Sequence, residues 1–164
     1  MSPAMNLKEP ITSRNAPLLV LLIGQAGLYL MIATTNVTDL LASAGWYGGS
    51  WRSENVDFVQ SNTWHVGEPR WLAVLTVVFA ATGQMIAGVG FAAAAFTLVR
   101  RPEATIGTVR RSVTVSLIVW MTLAVGVELF ITYPAANWGA FMFLSLLALG
   151  TLWLAEHLDT RMQT

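Results

Sequence analysis

One residue able to do chemistry stands inside an apolar run. Glu128 lies on a helix whose other faces are Val, Leu, Ile and Met, and an ionisable side chain in such surroundings is costly and faces protein rather than lipid. At a spacing of four, its face reads Ser112, Ser116, Trp120, Ala124, Glu128 and Thr132. That stripe is polar or small apart from Trp120, so it points into a helical bundle. Asn36, Asp39 and Arg70 are expected at the same depth on neighbouring helices, with Arg70 the basic partner at the outer mouth of the bundle. Such a cluster can pin helix ends together, or it can serve as a proton relay or ligand site. Two glutamines lie deeper. Gln25 continues through Tyr29, Ala33 and Asn36, and Gln84 sits in the stripe Ala80, Gln84, Gly88, Ala92. Small residues let helices approach closely, so both glutamines, with Gly24, Gly27, Gly83 and Gly90, read as helix-packing groups.

Other chemistry finds little support. The chain has no cysteine, hence no disulfide, thiolate metal site or iron–sulfur cluster. Its two histidines, His65 and His157, fall at opposite ends of the expected helices, so they do not suit two axial ligands of one haem. No HExxH, glycine-rich phosphate loop or Ser/His/Asp set is present. His65 with Glu68 and Asp57 is read as solvated loop rather than metal site. Nine basic and nine acidic residues give net zero, with no excess to neutralise phosphates along a nucleic acid. The expectation is a non-enzymatic protein with no cofactor and no metal.

The elements that must position these residues follow from the gaps between charges. Only 11% of the 164 residues are charged and 55% are hydrophobic, against about 25% charged in a soluble domain. About 20 apolar residues cross a bilayer as a helix. Spans are expected at 17–36, 71–99, 112–133 and 137–156, with a loop at 37–70, all in one domain covering 1–164. The second span is longer than a bilayer requires, so it tilts or protrudes. Lys8, Arg14, Arg100, Arg101, Arg110, Arg111 and Arg161 lie on one side, and Arg52 and Arg70 on the other. The positive-inside rule then places both termini in the cytoplasm. The fold class is all-α: a four-helix integral membrane bundle with one longer exported loop. Ala42-Ser43-Ala44 has the form of a signal cleavage site, but the preceding apolar stretch exceeds a signal core and the first span reads as retained. Asn36-Val37-Thr38 fits a glycosylation sequon and reads as a polar helix end.

The exported loop is rich in aromatics. Trp46, Trp51, Trp64 and Trp71 lie in or beside it, and Trp138 joins them on the same side. Tryptophan favours the membrane–water interface, so these form an aromatic belt or a docking surface. Ser53, followed by Glu54, predicts a capped short helix to about Asn62, lying on the outer leaflet with Val56, Val59 and Thr63 on one face.

Three stretches carry a likeness: Asn36-Val37-Thr38-Asp39, then Phe58-Val59-Gln60, and then Trp120 through Gly126-Val127-Glu128-Leu129-Phe130 to Asn137-Trp138-Gly139-Ala140-Phe141. In these the chain resembles the bacterial "predicted small integral membrane proteins", a four-span family of unknown function. Leu40 to Arg52 looks like an insertion relative to that pattern, and the second span shows no match. The resemblance implies four spans in the bacterial cytoplasmic (inner) membrane and singles out Asn36, Asp39 and Glu128, without assigning them a task. Three functions remain open: an accessory or structural subunit of a larger membrane complex, an oligomeric proton- or ion-coupled transporter using Glu128, and a binder of quinone, lipid or pigment lined by Trp120, Tyr29 and Gln84. Membrane lipids and other membrane subunits, or further copies of the chain, are the expected partners.

Overall fold

A chain with so few charges satisfies its backbone by coiling it, and a computed structural model shows the result. It describes residues 15–63, 66–130 and 138–162, leaving aside the side chains of residues 103, 127–130, 138, 161 and 162. Helix α1 (Ala16–Ser43) starts with Pro17 in its first turn, where the missing N–H costs nothing. It runs past the expected edge at residue 36 and closes in a Schellman turn. There the Gly45 N–H reaches Ala42 O at 2.9 Å and the Trp46 N–H reaches Leu41 O at 2.8 Å, with Gly45 at φ 79°. A short helix α2 (Asn55–Ser61) follows. Helix α3 (Arg70–Arg100) has 31 residues, and Pro102 opens a single 3₁₀ turn after it. Helix α4 (Thr105–Phe130) begins earlier than the expected 112, so Arg110 and Arg111 are helical rather than loop residues. Helix α5 (Trp138–Met162) is the last of the described elements.

Among the described residues all regular structure is helical, and four helices are long and apolar enough to cross a membrane. These mark a multi-pass membrane protein. Consecutive long helices pack side by side, α1 on α3, α3 on α4 and α4 on α5, while α5 touches α1 only lightly. One core joins Leu22, Tyr29, Phe91, Val113, Trp120 and Ala148 across the four long helices. A second, smaller core seats Val56 and Val59 of α2 on Ala73 and Val77 of α3.

Glycine has two roles here. Gly83 lies against Val119, Gly90 against Ser112 and Gly88 against Leu30, each too close to admit a Cβ without a shift. Gly24 and Gly27 have nothing near the position of a Cβ. The expectation that they too mediate packing within the chain is therefore corrected: they lie on the exposed side of α1.

Candidate functional site

Polar side chains line the buried face of α1 at helical spacing: Gln25, Tyr29, Asn36 and Asp39. Buried polar groups require partners, and each of these reaches a different part of the fold. Gln25 Nε2 donates to Thr151 Oγ1 of α5 at 2.6 Å. The Tyr29 hydroxyl pairs with the Ser116 hydroxyl of α4 and accepts from Trp120 Nε1 at 2.6 Å. Asn36 Nδ2 donates to Gln84 Oε1 of α3 at 2.8 Å, and Asn36 Oδ1 accepts from Asn55 Nδ2 of α2 at 2.7 Å. Asp39 Oδ2 accepts the backbone N–H of Val56 at 2.8 Å and the Ser53 hydroxyl at 3.4 Å. Helix α1 is thus a polar spine tied to every other helix.

The outer end of this spine is the densest site. Asp39 is 1% exposed and supplies the cap that α2 needs, since no side chain of the cap residue does so. Ser53 was expected in that role. Its hydroxyl instead lies 3.4 Å from the Asn55 N–H, and Glu54 holds the cap position in the left-handed region at φ 58°. The Ser53 N–H bonds to Thr35 O at 3.3 Å, and the Thr38 hydroxyl donates to Trp51 O at 2.8 Å. Val56, Val59 and Thr63 are all buried.

Of the expected cluster, the structure brings together Asn36 and Asp39 and adds Gln84, which the sequence placed deeper. Arg70 stands apart: its Nη2 donates to Ser43 O at 3.0 Å and its Nη1 to Gln60 Oε1 at 3.3 Å. It thereby fastens the far end of α2 to the end of α1. Glu128 is on the α4 backbone, but its side chain lies outside the described residues. Ser112, Ser116 and Trp120, the earlier members of its row, are buried in the bundle. Trp46, Trp51 and Trp71 are exposed, Trp46 at 81%. Trp64 and the Trp138 side chain fall outside the described residues, as does His65.

Sequence reasoning missed Asn55 and Thr151 as polar partners, and it placed Ser116 on the inward face of its helix without naming Tyr29 opposite. Thr151 had a usable signal, one of two hydroxyls, with Ser145, in the apolar run from 138 to 155. Asn55 had none, because its role depends on how the loop folds back. The aromatic rings of Tyr29 and Phe91 (5.6 Å between centroids), Tyr29 and Trp120 (6.1 Å), and Trp120 and Phe141 (5.8 Å) fill the middle of the bundle. Among the described residues no group of three or more His, Cys, Asp or Glu converges on a point.

The chain matches no family model, no curated protein and no solved structure.

Proposed function

We propose that the chain is a non-enzymatic, multi-pass protein of the bacterial cytoplasmic membrane, with both termini cytoplasmic. On this reading it serves as an accessory or structural subunit of a larger membrane complex, and it belongs with the small integral membrane family it resembles. The observation that carries the reading is the polar spine of α1. Its buried polar residues each make a hydrogen bond to another helix or to the folded loop. The interior is thereby engaged in holding the bundle together, and large apolar side chains such as Val20, Met31, Ile86, Met121 and Leu146 are left on the outside. A rigid module with such a surface acts by being packed against. The test is mild detergent extraction followed by mass spectrometry. Partners at fixed stoichiometry are expected, and recovery as a stable isolated monomer or homo-oligomer overturns the subunit role.

A second reading has its own support. The buried row Ser112, Ser116, Trp120 runs on along α4 toward Glu128, which suits an oligomeric proton- or ion-coupled transporter. Proton flux into liposomes that is abolished in Glu128→Gln, with folding unchanged, would favour transport over the subunit role.

A further inference from the structure

Arg110 and Arg111 follow one another on α4, but only the first is paired. Arg110 donates from Nε and Nη2 to Glu156 Oε1 of α5 at 3.1 and 3.0 Å. Arg111 is exposed and has no ion pair among the described residues. One step along a helix turns about 100°, which carries it away from α5.

Its depth can be measured along α3. Thirty-one residues make a helix of about 46 Å, against a hydrocarbon layer of about 30 Å. A tilt of about 40°, the top of the usual range, would still leave about 35 Å of span. Helix α3 therefore stands out of the layer. At its start, Arg70 reaches the last turn of α1 through Ser43 O, and the exposed Trp46 and Trp71 mark an interface. About 30 Å further on, twenty residues at the rise of an α-helix, comes Phe91. Helices α3 and α4 are antiparallel, with Gly83 against Val119 and Gly90 against Ser112. The same register puts Arg111 beside Phe91. At a small tilt Arg111 thus lies about one hydrocarbon thickness from Trp71, at the opposite edge of the layer, from which an exposed arginine side chain extends outward to the opposite leaflet's phosphates.

We propose that Arg111 binds the phosphate of an anionic phospholipid in that leaflet, and that the α3–α4 hairpin beyond it, bearing Arg100 and Arg101, stands clear of the hydrocarbon. A guanidinium presents a planar fork that suits phosphate oxygens, and a net negative headgroup is attracted where a zwitterionic one is not. Arg100 differs from Arg111 in that its guanidinium lies 5.3 Å from the centre of the Phe96 ring. The proposal depends on the four spans and not on the subunit role.

The full chain, released from nanodiscs of phosphatidylethanolamine and phosphatidylglycerol, is weighed with its retained lipids by native mass spectrometry. The native chain is expected to retain phosphatidylglycerol preferentially, Arg111→Gln to lose that preference by about fivefold, and Arg101→Gln to keep it. Unchanged retention in Arg111→Gln, an equal loss in Arg101→Gln, or displacement by inorganic phosphate alone overturns the proposal. The absence of cysteine permits a separate test of depth with single cysteines and a membrane-impermeant maleimide. Val99→Cys is expected to label and Val89→Cys to be protected; both positions are exposed on α3. Labelling of both or of neither puts the leaflet elsewhere and overturns the proposal as well.

Discussion

Two buried amides on the same face of α1 have unequal roles. Asn36 has both ends occupied, by Gln84 and Asn55. Gln25 donates to Thr151, but its Oε1 is buried without a partner. The Thr151 hydroxyl already donates to Leu147 O at 2.9 Å, so turning the amide over would leave both of its ends without a partner. Asn36→Ala leaves Gln84 and Asn55 unsatisfied and should cost about 1–3 kcal/mol. Gln25→Met keeps the volume and removes the orphan, and should change stability by less than about 1 kcal/mol. Unfolding midpoints in mixed detergent would measure both, and an equal loss in the two variants would contradict this account. The Gln25–Tyr29–Asn36 stripe was legible from spacing alone because α1 is regular. What each residue touches was not, since a period says which face is buried and nothing of what stands opposite.

At the scale of elements, the charge gaps located the four long helices well, because burying backbone in lipid leaves few alternatives to a helix. They failed at the ends. Helix α4 begins at Thr105 and α1 runs to Ser43, since a helix need not stop where the hydrocarbon does. The short helix α2 is instructive. Its buried face was readable from Val56, Val59 and Thr63, whereas its cap comes from Asp39, sixteen positions before the helix starts. Asp39→Ala should therefore loosen α2 rather than unfold the bundle, at a cost of about 0.5–2 kcal/mol. Faster amide exchange confined to 53–63 is the expected signature; uniform acceleration would mean that Asp39 supports the whole molecule. Glu54 sits in the left-handed region, so Glu54→Gly should stabilise the loop by about 1 kcal/mol. Close approach gives a third contrast: Gly83→Ala meets Val119 and should cost about 1–3 kcal/mol. Gly27→Ala meets nothing and should be neutral or stabilising by up to about 1 kcal/mol; thermal melts of the two variants would compare them directly.

At the scale of the whole molecule, the seam between α1 and α5 differs from the others. The neighbouring pairs are joined broadly, whereas α5 meets α1 over few residues, among them the Gln25–Thr151 hydrogen bond. Thr151→Val should cost about 1 kcal/mol, and the loss should appear as faster exchange in α5, with α1 and α3 unaffected. The same arrangement bears on how the molecule comes into being. Each broad contact between long helices joins two that are consecutive among the long helices, so each long helix after the first enters the membrane with a broad partner already in place. A bundle wired in this order can be assembled as it is synthesised, and only the narrow contact between α1 and α5 must wait until α5 has been made.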